Sequence, residues 1–324
     1  MKKQAAFLSV MFSGVLTLPA QQLPLHSQYL WNDYLINPAV AGIKEEESPV
    51  FLSYRTQWSG LEGAPVTQMA GMHGAASGKI GLGLLFTNDK TGPIHKSSFQ
   101  FGYSYRLKIA DKCKISFGVA PAILLHSLKK SELTFDQPDA FAEGVAGESA
   151  VMDATAGLYF SAEKYFSGFS VPQILENRIW QGDKTTYARL KRHYLLYGGY
   201  ELEVNEKFTV QPSLYAKYAM GAPVQWDVNV RGTYHRFIWM GFSWRANASS
   251  NFNDAMVFMI GVSKLNIHVG YAYDYSFGKI RKSSLGSHEI FISYTISNRI
   301  KGSPTREKSY FSSPSAPYKI IPLR

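Results

Sequence analysis

Cysteine is all but missing from the chain: Cys113 is the only one in 324 residues. A single thiol excludes an intrachain disulfide framework, and its distance from the leader excludes a lipid anchor on an N-terminal cysteine. Long apolar runs are missing too. Beyond Leu18 nothing approaches the roughly 18 to 20 consecutive apolar residues of a spanning helix. Charge is sparse, at 18% of residues against 45% hydrophobic, a balance too apolar for a disordered chain. Helical periodicity is nearly absent after residue 20, and only short pieces around 25–36 and 174–180 suit a helix.

Aromatics and glycine are abundant, with 20 Tyr, 20 Phe and 27 Gly, a composition that favours strands and turns. The opening MKKQAAFLSVMFSGVLTLPAQQ has Lys2 and Lys3, an apolar run to Leu18 and a small residue at Ala20, which predicts a secretory signal peptide cleaved after Ala20. Downstream, apolar and polar residues alternate. In SSFQFGYSYRLKI, Phe99, Phe101, Tyr103, Tyr105, Leu107 and Ile109 share one strand face, with Ser98, Gln100, Gly102, Ser104, Arg106 and Lys108 on the other. The same pattern recurs in Val224–Val230 and in Leu265–Tyr275. About fourteen strands follow: 50–58, 66–73, 79–88, 97–109, 113–127, 151–162, 165–171, 191–203, 206–219, 224–234, 237–246, 255–263, 265–275 and 288–297. The strands 66–73 and 237–246 alternate least cleanly.

The connections between these strands are alternately long and short, with 59–65, 89–96, 128–150, 172–190, 247–254 and 276–287 on the long side. Alternating loop length over an even number of strands is the mark of a transmembrane outer-membrane β-barrel, with short periplasmic turns and longer extracellular loops. Closure follows from the bilayer, where every backbone polar group must be paired within the sheet. The apolar strand faces then meet lipid. Gly81 and Gly83 fall on the lumen side, as do Arg55, Arg106, Lys217, Arg231, Asp227, Asp274 and Glu289, read mainly as paired networks that plug the lumen.

A net charge of +10 suggests nucleic acid, but its distribution does not. Lys2 and Lys3 leave with the signal, and residues 298–324 hold six basic residues against one acidic, so the excess belongs to a tail. Catalytic patterns are weak. Ser127-Leu128-Lys129-Lys130 matches S-x-x-K without any supporting motif, and the eight histidines have no ligand spacing, so no enzyme activity, metal or cofactor is expected.

Four stretches carry a resemblance: QYLWNDYLINPAVAG (28–42), YRTQWSGLEGAPVTQ (54–68), GKIGLGLLFTNDKTGP (78–93) and KRHYLLYGGY (191–200). In order and spacing the chain resembles the PorP/SprF family of outer-membrane proteins of the type IX secretion system. The resemblance rests on Asn37-Pro38-Ala39, Arg55, Gln57-Trp58, Gly63-Ala64-Pro65, Asn88-Asp89, Gly92-Pro93 and Arg192-His193-Tyr194. Thr56 departs from it, where the family often has Asn, and so does the tail after Ile296, where many members end. The resemblance implies a non-enzymatic role in secretion or surface anchoring of specific cargo, adhesins among them, in some members linked to gliding motility. It implies as partners cargo proteins with type IX C-terminal domains and other secretion components, including a periplasmic peptidoglycan-binding lipoprotein. The alternative is a passive porin or hydrophobic-solute channel, and a barrel enzyme ranks third.

The expected organisation is a signal peptide (1–20), an N-terminal periplasmic or lumen segment (21–48), a transmembrane barrel (49–297) and a basic, Ser/Pro-rich periplasmic tail (298–324), with both termini periplasmic. Candidate partner contacts are Trp58, in the first extracellular connection, and Tyr310, Phe311 and Tyr318, the apolar anchors of the tail. For Gly60, Gly63 and Pro65 a turn-forming role is the simpler reading.

Overall fold

A computed structural model of the protein describes residues 23–132, 147–179, 189–247 and 254–297. The strands are β1 (Glu47–Thr56), β2 (Val66–Ala75), β3 (Ile80–Thr91), β4 (Ile94–Ala110), β5 (Cys113–Leu128), β6 (Glu148–Ser161), β7 (Tyr165–Val171) and β8 (His193–Tyr200). They continue as β9 (Leu202–Asn205), β10 (Phe208–Ala219), β11 (Gln225–Tyr234), β12 (Ile238–Asn247), β13 (Ala255–Lys264), β14 (Ile267–Ser276) and β15 (Ser287–Ser297). Each pairs antiparallel with its neighbours and β1 pairs with β15, which closes the sheet. β8 and β9 are one wall position interrupted at Glu201, since both lie along β10. The wall is therefore a closed barrel of fourteen strand positions.

Alternation sorts the two faces as the sequence predicts. On β4, Phe99 and Phe101 are 54% and 47% exposed, while Ser104 and Arg106 are 0% and 2% exposed. The hydrophobic core is inside the barrel, in two clusters around Trp31, Tyr34, Phe51, Trp239 and Phe291 and around Tyr29, Val40, Tyr159, Leu195 and Tyr215. Each cluster joins wall residues to the N-terminal segment 23–46. The outward apolar faces of the strands are left for lipid.

One end of the barrel carries the turns 111–112, 162–164, 206–207, 235–237 and 265–266, several of them closed by residues at positive φ (His235, Arg236, Leu265, Asn266). Positive φ at both central residues suits the strand twist of a tight hairpin. The other end carries the connections that leave β1, β5, β7, β12 and β14. One expected long loop is corrected. β3 and β4 run on to Thr91 and Ile94, and only Gly92-Pro93 joins them, with Gly92 at φ +53. The polar run Asn88-Asp89 imitates a loop, but its side chains are satisfied within the sheet. Ser97 donates to Asn88 at 3.0 Å and Thr67 to Asp89 at 2.6 Å. Residues 174–179 are irregular rather than helical.

The register has a direct test on β11, where Val228 is 49% exposed on the lipid face and Arg231 points inward to donate to the Leu30 carbonyl at 2.6 Å. Val228→Arg places a charge against lipid at a cost of about 2–4 kcal/mol and should sharply lower the folded fraction in an outer-membrane assembly assay. Arg231→Val should assemble better than Val228→Arg. Equal folded fractions contradict this register.

Candidate functional site: the plugged lumen

Residues 23–46 leave no strand of their own. They form three 3-10 turns, Gln28–Leu30, Asp33–Leu35 and Pro38–Val40, inside the barrel. Turns this short satisfy few of their own carbonyls, so a segment buried at membrane depth needs partners from the wall. The wall supplies them. Ser170, Ser116 and Ser104 hydroxyls donate to the carbonyls of Ile36, Ala39 and Ala41 at 2.6, 2.6 and 2.7 Å. Arg231 serves Leu30 in the same way and lies 5.6 Å from the centre of the Trp31 ring.

Asn37-Pro38-Ala39 explains itself in this setting. The Asn37 carboxamide oxygen accepts from the Ala39 amide at 3.0 Å, opening the third turn with Pro38 at its start. The Asn37 amide group donates to the Leu158 carbonyl at 2.8 Å and the Tyr197 hydroxyl at 3.2 Å, which ties the turn to the wall. Close approach requires absent side chains opposite. A Cβ at Gly118 would run into the Ala39 amide, and one at Gly83 into the Tyr34 phenol. Gly81 lies on the same lumen face, beside Ala41.

Towards the long-loop end the wall presents a buried ionic cluster. Arg55 donates to Asp274 at 2.6 Å and to Glu289 at 3.2 Å. Arg245 bridges Asp274 at 3.1 Å and Asp227 at 3.2 Å. The N-terminal segment joins this cluster. The Ser27 amide donates to Glu289 at 2.8 Å, its hydroxyl to Asp274 at 3.0 Å, and the Tyr29 hydroxyl to Asp227 at 3.1 Å. Of the lumen charges read from the sequence, Arg55, Asp227, Asp274 and Glu289 meet here. Arg231 and Arg106 instead hold backbone carbonyls, those of Leu30 and Ser77. Sequence reasoning missed Arg245. The regular alternation of Ser243 and Arg245 on β12 was the available signal, obscured by Trp239, an inward aromatic stacked on Trp31 with ring centres 4.9 Å apart.

The remaining motifs order the long-loop end. Arg192 donates to the Ile174 carbonyl at 2.6 Å and its amide to Glu176 at 3.1 Å, tying the residues that follow β7 to those that precede β8. Gly92 donates to the Gly63 carbonyl at 2.9 Å, joining two connections. Trp58 is half-buried at φ +53, its amide donating to the Ser287 hydroxyl at 3.1 Å. Tyr310, Phe311 and Tyr318 lie outside the described residues. Among the described residues no group of His, Cys, Asp and Glu side chains is arranged to hold a metal.

Two outcomes test the seat of the segment. Burial pushes the Asp33 carboxyl up to about 6, against the pull of Arg231 and Lys44. From about pH 4 to 6 the seated segment keeps a proton that a released one gives up, so Asp33 weakens the seat as pH rises through that window. Asp33→Asn should slow hydrogen exchange in 23–46 relative to the unmodified chain, by a ratio that grows from pH 4 to a plateau above pH 6. A ratio constant with pH excludes this. Separately, Gly118→Leu should displace the third turn and raise ion conductance in planar bilayers above that of the unmodified barrel, while equal conductance argues against the close approach.

The fold and the sequence have known counterparts. The toluene transporter TbuX of Ralstonia pickettii superposes with a TM-score of 0.50 at 9% identity, over 81% of this chain and 92% of that one. The monoaromatic hydrocarbon channel CymD gives 0.50 at 11% identity, over 85% and 94%. At such identities the likeness is one of fold, that of the outer-membrane β-barrel. No curated protein matches the chain. The family model of the type IX secretion system membrane protein PorP/SprF matches residues 18–294, through the plug and all but the end of the last strand. The chain therefore belongs to the PorP/SprF family of type IX secretion membrane proteins.

Proposed function

We propose that this outer-membrane barrel acts without catalysis, helping the secretion or surface anchoring of specific cargo through its long connections. The observation that carries this reading is the N-terminal segment seated in the lumen. A wall that spends serines, glycines and five buried charges on seating its own N-terminal segment is built to present a rigid surface, and solute flow would need that segment to leave. The long-loop end is extracellular, and β1 and β15 begin and end on the periplasmic side. The partners are cargo with type IX C-terminal domains and other components of the system, a peptidoglycan-binding lipoprotein of the periplasm among them. Trp58 is a contact for cargo, and Tyr310, Phe311 and Tyr318 are contacts for the periplasmic partner. The channel reading, suggested by the transporter and channel of like fold, predicts steady conductance or solute uptake by the unmodified protein.

Crosslinking in the native outer membrane, followed by identification of the attached proteins, should recover secreted cargo and a periplasmic component. Deleting residues 300–324 should keep barrel insertion and weaken retention of the periplasmic component, and high salt should weaken its retention by the intact chain, because six basic residues lie in 298–324. Recovery of no secretion component from the intact protein overturns the proposed role. Full retention of partners by the truncated chain removes the tail from it.

A further inference from the structure

The plug does not fill the barrel completely. In the long-loop half, above Leu23–His26 and Tyr34–Pro38, the wall and the segment border a partly open cavity of about 190 Å³. A dry apolar cavity of about 150 Å³ takes one benzene, so this one suits a ligand slightly larger than a single ring. Leu85, Leu124, Leu195, Tyr34 and Tyr215 supply an apolar lining.

Polar groups interrupt that lining, His26, His126 and Arg245 among them, and the decisive one is Lys217. It lies on β10 at 8% exposure, borders the cavity, and its ammonium has no hydrogen-bond partner. Among the described residues no carboxylate stands within ion-pair distance of it. Asp227 and Asp254 attract it only from beyond that distance, and the acids that border the cavity are engaged elsewhere. Asp227 takes Arg245 at 3.2 Å, Gln225 at 3.0 Å and Tyr29 at 3.1 Å. Asp89 takes the Thr67 hydroxyl at 2.6 Å. Asp153 takes the Ala154 and Leu175 amides at 2.6 and 3.1 Å on one oxygen and leaves the other open. A buried, unanswered ammonium is costly, and an anion that brings its own apolar body relieves it. One unpaired ammonium answers one negative charge, which points to a monoanion. Lys96 also borders the cavity but is only half-buried.

We propose that this cavity binds a small apolar monocarboxylate, its carboxylate on Lys217 and its body against the leucines and tyrosines between wall and plug. The site is shared by both parts, so an occupied cavity also holds the N-terminal segment in place.

Benzoate is the probe, and saturation-transfer NMR or calorimetry on the full barrel in detergent is the measurement, with benzamide as the neutral shape match. Benzoate should bind the unmodified protein and benzamide should not. Lys217→Met should weaken benzoate by about tenfold or more, the scale of a charge-assisted hydrogen bond. Lys217→Arg and Lys96→Met should retain it. Ala122→Phe, which fills the cavity from β5 without touching the charge, should abolish binding. Heat-modifiable gel mobility checks that each variant is folded, and Ala122→Phe keeps the test decisive if Lys217→Met fails to assemble. No benzoate binding to the unmodified barrel, equal binding by Lys217→Met, equal binding of benzamide, or unchanged binding by Ala122→Phe each overturns the proposal.

Discussion

A backbone segment inside a membrane barrel must find a partner for each of its polar groups, and the architecture depends on how residues 23–46 meet that demand. The segment makes only isolated 3-10 turns, so its carbonyls turn outward to the wall. Three serines and an arginine on β4, β5, β7 and β11 answer them, four wall positions committed to one strand of chain. Glycines opposite the third turn let the two backbones approach within bonding reach. Each such hydrogen bond contributes about 0.5–1.5 kcal/mol net, but leaving the carbonyl unanswered costs about 1–3 kcal/mol. The seat is therefore strongly specified even where each contact is modest.

The ionic cluster does a different job from the serines. Burying Arg55, Arg245, Asp227, Asp274 and Glu289 removes all five from water, and the desolvation cost offsets most of the attraction among them. What the cluster gains is position. The carboxylates accept from Ser27 and Tyr29 in only one placement of the segment, so the upper part of the plug is fixed by charge and the lower part by close packing. Trp31 on Trp239 links the two. The mixed charge of the lumen is thus a docking surface for the protein's own N-terminal region.

Much of this fold was legible because lipid and lumen impose opposite polarities on alternate residues, as in Phe99–Ile109. The fourteen strand positions follow from that rule. It blurs where an inward residue is apolar. Met69 on β2 and Trp239 on β12 pack in the lumen core, and these are the two strands that alternate least cleanly. It also misleads at Asn88-Asp89, where polar residues that read as a loop are bonded within the sheet. The plug is a different case. A segment without period leaves no trace in an alternation pattern, and the role of Asn37 appears only once β6 and Tyr197 are placed beside it. Arg55 was readable as a lumen charge, but its partners lie more than two hundred residues away in the chain.

That separation has a consequence for the order of assembly. Ser27 precedes β1, and its partner Glu289 is on β15, the strand that must meet β1 for the barrel to close. Contacts so remote in sequence form late, because loop-closure entropy opposes them until the intervening strands are in place. The segment also touches β3 through β7 along its lower half, strands that lie away from the β1–β15 seam. The nascent wall can thus gather the lower turns first, while Arg55 on β1 still lacks both carboxylates. Pairing β1 with β15 brings Asp274 and Glu289 to Arg55 and Ser27, so the contacts that close the cylinder also complete the cluster that holds its contents.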